Sequence, residues 1–338
     1  MPTSSTPSIA ARPLARAVAP WLLVFAFLAG CNREAAPGGQ AATSGPAATV
    51  TTLATQLQGG DLDGYARTAV PPALHAELEA AWRQDRSRWP LSELPMAGKL
   101  PPLLAAFGAE GAEATLQGAF DRQFAGEDQE LDAAAQSLSL WGVEYVSNEG
   151  EFSDSERVHY AQVIEALGAW AAGAPLADRA RARASIVRLA SAARATGLDE
   201  PADFTALGMT GTLDRLQPFV AATMRTLADY GLDLGASLEG LQVKDVSQDG
   251  DRAVVQVSYP LAGTAISTEV QLERIDGRWY PSDSVRNARA SLVPAAMTGD
   301  APEDGAVPGD SDESRHSGAT RVGWVIDSGA MRRGMPGS

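Results

Sequence analysis

The chain reads as a mainly α protein closed by a small C-terminal antiparallel β-meander, an α+β architecture. Three observations predict it. Apolar residues recur at helical spacing from about Thr49 to Tyr230, and the apolar period drops to two after Leu238. Between the alternating runs, Asp249-Gly250 and Asp276-Gly277 supply tight turns.

The helical part is read element by element. Pro71-Pro72 open a helix in which Leu74, Leu78 and Trp82 lie four residues apart. Residues 86–102 hold Pro90, Pro95, Pro101 and Pro102 and read mostly as loop. A strong helix starts at Ser153, where Ser153 and Glu156 form a capping box that satisfies unpaired amides of the first turn. Tyr160, Val163, Ile164, Leu167 and Trp170 then make one apolar stripe, stopped by Gly173 and Pro175. Residues 176–193 form the next helix, with Ile186, Leu189, Ala190 and Ala193 inward. A later helix carries Leu213, Leu216, Val220, Met224 and Leu227, with a kink expected near Pro218 and an end at Gly231. This pattern predicts about six to nine helices.

In the meander, Leu241 and Val243 alternate with polar residues. Ala253, Val255, Val257 and Tyr259 form one strand face, and Ile266, Thr268, Val270 and Leu272 form the next. Arg278-Trp279-Tyr280 follow the last turn. A meander this small is not stable alone, so its apolar face must pack on the helices. The Asp-Gly turn followed by Arg278-Trp279-Tyr280 resembles the closing strands of small periplasmic domains of the NTF2-like or cystatin-like type, over about 45 residues.

The N-terminus carries a different message. Arg12 and Arg16 precede an apolar run over residues 17–28, and small residues follow, the layout of a secretory signal. The run is too short, and too broken by Pro20, for the roughly 20 apolar residues a membrane span needs. Leu28-Ala29-Gly30-Cys31 resembles a bacterial lipobox. That resemblance implies cleavage before Cys31, a diacylglyceryl thioether on its sulfur and an acylated amine, which together hold a protein firmly to a bilayer. Asn32, where Asp favours inner-membrane retention in well-studied Gram-negative bacteria, implies the outer membrane, facing the periplasm. The expected divisions are a signal peptide at 1–30, a flexible tether at 31–47, a helical domain at 48–237, the packed meander at 238–297 and a disordered acidic tail at 298–338. The tether holds only small and polar residues and spans about 20 Å root-mean-square.

Composition narrows the function. Without the signal, 25 Lys and Arg stand against 42 Asp and Glu, a net charge of −17. Such a chain repels nucleic acid, so no nucleic-acid partner is expected. A single cysteine, lipidated, leaves neither an intramolecular disulfide nor a thiol nucleophile.

No catalytic motif stands out. His75, in PPALHAELE, lacks the H-E-x-x-H spacing and reads as a surface or half-buried helix residue. His159 reads as a boundary residue beside the stripe, and His316 lies in the tail. Ser237 misses the last glycine of a G-x-S-x-G elbow. Asp61-Leu62-Asp63-Gly64 reads as a helix start and Asp249-Gly250-Asp251 as a hairpin turn rather than as calcium loops. No cofactor or metal is nominated. The candidate partner surface is a cluster of Arg179, Arg181, Arg183, Arg188 and Arg194 on one helix, where Arg179 and Arg183 sit one turn apart and could clamp an anionic envelope component or acidic protein face.

The expected function is therefore that of a non-enzymatic, lipid-anchored envelope component that presents a helical body to a partner. The alternative is a small-molecule binding protein with a pocket between meander and helices, lined by Trp279 and Tyr280. An unrecognised hydrolase is a third possibility.

Overall fold

Helices come first and an antiparallel sheet follows, as the change of apolar period predicts. The computed structural model describes residues 45–94, 97–149 and 152–293. The signal segment, Cys31, most of the expected tether, His316 and the acidic tail lie outside the described residues.

The described chain begins where a tether was expected to end. Helix α1 (Pro46–Gln58) starts two residues before the expected helical domain, because extended Gly45 precedes Pro46 at the first helical position, where a missing N–H costs nothing. Helix α2 (Leu62–Ala69) is capped by Asp61, whose carboxylate accepts from the Gly64 amide at 2.8 Å, so the Asp61-Gly64 segment is a helix start. Helix α3 (Pro72–Arg83) buries Leu74, Leu78 and Trp82 as the spacing predicted.

The described parts of residues 86–102, which are 86–94 and 97–102, hold more regular structure than a loop. They contain 3₁₀ turns at Leu91–Glu93 and Ala97–Lys99, and Pro101 and Pro102 lie inside the first turn of α4 (Leu100–Gly108). Helices α5 (Ala112–Gln123), α6 (Asp128–Asn148) and α7 (Asp154–Ala171) follow. The predicted capping box is present on α7: Ser153 Oγ accepts from the Glu156 amide, and Glu156 Oε2 accepts from the Ser153 amide at 2.8 Å.

Helix α8 (Arg179–Thr196) starts later than expected because Asp178, accepting from the Arg181 amide at 2.8 Å, provides the cap. Helix α9 (Pro201–Asp229) is interrupted, but not where proline predicted. The break is at Gly208 (φ 75°, ψ −177°), while Pro218 sits within continuous helix. A short α10 (Leu234–Glu239) leads into the sheet.

Strands β1 (Gln242–Asp249), β2 (Arg252–Leu261), β3 (Thr264–Ile275) and β4 (Arg278–Pro281) form an antiparallel meander in that order. The register sets Ala253 opposite Leu272, Val255 opposite Val270, Val257 opposite Thr268 and Tyr259 opposite Ile266. These eight residues, the two predicted strand faces, are buried. At the last turn Asp276 and Gly277 both have positive φ (50° and 78°), the left-handed pair that a two-residue hairpin requires. Helix α11 (Ser282–Leu292) then packs back on the sheet and on α3, an element the sequence reading missed. Its apolar signal, Val285 and Ala288, is too short to stand out.

Among the described residues there are eleven α-helices, more than the six to nine expected. Helices α1, α7, α10 and α11 pack on the sheet, and α8 packs on α4, α5 and α9. One continuous apolar core joins the two groups, from Val50 on α1 to Val285 on α11.

Candidate functional site

The arginines of α8 are largely occupied within the molecule. Arg179 Nε lies 3.4 Å from Asp121 on α5, and Arg194 lies 2.5 Å from Glu113 on the same helix. Arg188 pairs with the Asp229 carboxylate at 2.7 Å and donates to Thr226 Oγ1 at 3.1 Å, while Arg181 donates to the Asp229 carbonyl. Arg183 is exposed. Each of these exposed pairs contributes roughly 0–1 kcal/mol. Together they tie α8 to α5 and α9, and Arg179 does not stand beside Arg183 as an idle half of a clamp. A shallow, open depression of ≈ 430 Å³ lies at the start of α8, lined by Ala125, Gly126, Ala177, Asp178, Arg179 and Ala180.

Trp279 and Tyr280, the candidate pocket wall, are both buried in the core. The Arg274 guanidinium stacks 5.4 Å from the Trp279 ring and is held by Asp251 at 2.7 Å. Ser237 is buried too, its hydroxyl donating to the Asp233 carbonyl at 3.1 Å.

Two titratable groups, buried His159 and half-buried Glu93, lie at seams between elements. His159 faces inward rather than sitting at the stripe's edge, because the buried face of α7 runs through His159, Tyr160, Val163 and Ala166. Its Nε2 is 3.1 Å from the Tyr259 hydroxyl on β2, and burial lowers its pKa from 6.5 to about 4. Glu93 sits where the 3₁₀ turns meet α11. Burial raises its pKa from 4.5 to about 7, and nearby Asp283 adds to the rise. Hydrogen bonds from Trp89 Nε1, at 2.8 Å, and Asn287, with the charge of Arg286, oppose it.

The break in α9 is closed by side chains from α3. Glu79 Oε2 accepts from the Thr210 amide at 3.0 Å, and Arg83 donates to the carbonyls of Ala206 and Leu207. Trp82 Nε1 donates to the Phe204 carbonyl at 2.8 Å. An ion pair thus serves as both cap and counter-cap for two half-helices. Positive φ favours glycine there, and a Cβ at residue 208 would stand 2.3 Å from Glu79 Oε1 and displace the ion pair. Half-buried His75 lies beside this cluster. Its Nε2 has no hydrogen-bond partner among the described residues, and burial together with Arg67 lowers its pKa.

The surface that stands apart is α6. Helix α6 packs on α7 through small residues: a Cβ on Gly142 would meet Ile164 Cγ2 at 3.1 Å, and one on Gly168 would meet Ser139 Oγ at 2.3 Å. Ser139 Oγ donates to the Ile164 carbonyl at 3.2 Å, and Arg157 donates to the Val146 and Glu149 carbonyls, capping the last turn. Val146 is buried and Tyr145 is half-buried against the core, while other large residues stay in solvent. Leu138, Leu140 and Trp141 are 67%, 75% and 60% exposed. Trp141 stacks on Tyr145 with ring centroids 5.4 Å apart, and Leu138, Trp141 and Tyr145 follow i, i+3, i+7 on one face.

Sequence reasoning missed this face because α6 is apolar on more than one side. Periodicity says that a helix is present, not which apolar side is covered. The available signal was size: small Ser139 and Gly142 meet α7, while the large residues just before them, Leu138 and Trp141, stay exposed.

Fold and surface together define a mainly helical α+β protein whose exposed chemistry is an apolar, aromatic helix face. Among the described residues no three His, Cys, Asp or Glu side chains converge as a metal set, and no helix is long and apolar enough to cross a membrane. Comparison with known protein families, curated proteins and solved structures gives no match to this chain.

Proposed function

We propose that this protein is a cell-envelope lipoprotein, anchored through lipidated Cys31 in the outer membrane and facing the periplasm. It acts as a non-enzymatic interaction or envelope-maintenance component. The observation that carries the reading is Leu28-Ala29-Gly30-Cys31 directly behind a charged and then apolar export segment. The small-residue run after Cys31 gives reach from the bilayer, and the uncovered face of α6 supports a role in protein contact.

The experiment is metabolic labelling with an alkynyl fatty acid, followed by density separation of the membranes. The full chain takes up label and travels with the outer membrane. Cys31→Ser takes up none and is lost from that fraction. Equal labelling of the two forms rejects lipidation at Cys31, and recovery of label in the inner membrane rejects the sorting inferred from Asn32.

A further inference from the structure

We infer that the Leu138-Trp141-Tyr145 face of α6 docks a basic, apolar-faced helix of a partner protein. The inference rests on the interaction reading above and names the surface and its partner's chemistry. Three observations carry it.

First, Leu138 and Trp141 are large apolar side chains that the core does not take up, while Tyr145 beside them is half-buried against it. Helix α6 buries only Val146 fully, and its closest approaches to α7 are at Ser139 and Gly142, so most of Leu138 and Trp141 stays in solvent. Apolar surface of this kind, with a Trp–Tyr stack at its centre and polar residues around it, is the makeup of an interface core. Trp and Tyr are also the residues most often found to dominate binding energy.

Second, the surrounding charge has one sign. From Gln123 to Glu156 there is no Lys, Arg or His, against nine Asp or Glu. Exposed Glu127, Asp128 and Glu130 lie at one end of the face, and exposed Glu144 and Glu149 lie at the other. Arg157, the next cation, is directed at the carbonyls of Val146 and Glu149.

Third, this pattern separates the occupants. A second copy would set acid against acid at both ends of the face, and an anionic bilayer surface would repel it in the same way. A partner helix with cations flanking an apolar stripe meets both requirements. Glu130 and Glu144 are fourteen residues apart, about 21 Å along the axis, so the matching cations lie about four turns apart on the partner. The recognition is of one helix face by another, with the Leu138-Trp141-Tyr145 face of α6 as the receiving surface.

The test uses the full chain in its own cells, with a photoreactive phenylalanine analogue replacing Trp141 or, as control, exposed Val187 on α8. Irradiation is expected to join residue 141, but not residue 187, to a different protein whose crosslinked peptide carries Lys or Arg on both sides of an apolar stripe. The paired change Glu130→Lys and Glu144→Lys is expected to lower adduct yield about tenfold or more, with unchanged circular dichroism. An adduct with a second copy, an adduct with lipid, no adduct at wild-type abundance, or a yield insensitive to charge reversal each overturns the inference. Fatty-acid labelling in the same cells separates the two readings. Label without an adduct rejects docking alone, and loss of label rejects the anchoring proposal whatever α6 binds.

Discussion

Along β2 every second side chain from Ala253 to Leu261 is buried, whereas the 21 residues of α6 bury one, Val146. Both segments are rich in apolar residues. The strand spends them on a shared core with α1, α7, α10 and α11, and each inward residue meets a partner fixed by register. The helix turns its small residues to α7 and leaves Leu138, Leu140 and Trp141 in water. The difference shows that apolar content and structural contribution are separate quantities: the meander shares the core with four helices, while α6 packs mainly on α7.

Mutations break or sharpen that contrast. The largest effect is expected in the sheet, where Leu272→Ala removes a side chain that is 1% exposed and opposite Ala253. Loss of stability of about 2–5 kcal/mol is expected from lost burial plus the cavity left behind, read as a drop in urea midpoint.

Next in size are the two seams, which respond to pH with opposite signs. The folded pKa of Glu93, about 7, lies above its ordinary 4.5, so the native state holds more protons than the unfolded chain between those values. Its contribution is fully present below 4.5 and is lost as pH rises through about 7. The folded pKa of His159, about 4, lies below its ordinary 6.5, so its contribution is present above 6.5 and is lost as pH falls through about 4. Each seam is worth on the order of 3 kcal/mol, and in the intact protein the two slopes oppose each other. Relative to wild type, Glu93→Gln is expected to become more stable as pH rises from 5 to 8. His159→Gln is expected to lose its disadvantage as pH falls from 6.5 to 4. Urea titrations across this range check both, and parallel wild-type and variant curves would remove the assignment. Tyr65, Asp283 and Arg286 face Glu93, and Glu156 faces His159, so these neighbours are left unchanged.

The same contrast explains what was legible in the sequence. The sheet was legible because its period of two, its Asp-Gly turn and its inward residues all agree, and the inward sets were named correctly. The Ser153–Glu156 cap was legible because it is local. The break at Gly208 was not, because it depends on Glu79 and Arg83 arriving from α3, more than a hundred residues away in sequence. Proline at 218 carried the stronger local signal, yet the residue with non-helical φ/ψ is Gly208. His159 was placed at an edge because its burial is set by β2, which no helical periodicity reports. The arginines of α8 were legible as a cluster, while their partners Asp121, Glu113 and Asp229 lie on other helices.

A smaller effect is expected at that break. Glu79→Gln keeps the shape but weakens the link between Arg83 and the Thr210 amide. A loss of about 1–2 kcal/mol is expected, because a hydrogen bond to a charged group is replaced by a neutral one. Hydrogen exchange at residues 208–210 should quicken more than exchange elsewhere in α9. Uniform quickening along the helix would mean that Glu79 acts on global stability instead.

The smallest effect on stability, within about 0.5 kcal/mol, is expected for Trp141→Ala, although it deletes the largest side chain on α6. The stack on Tyr145 is lost, but no cavity forms because the indole faces solvent. Gly142→Val is the matching change at the next position, where the helix meets α7. It removes no apolar group, yet a Cβ there already meets Ile164 at 3.1 Å, so Ile164 or the α6–α7 spacing must give, and stability is expected to fall further than with Trp141→Ala. Urea midpoints in that order, with Trp141→Ala near wild type, place the structural face of α6 at its small residues and leave its large ones free for contact. The reverse order would mean that the Trp141–Tyr145 stack is what holds α6 in place.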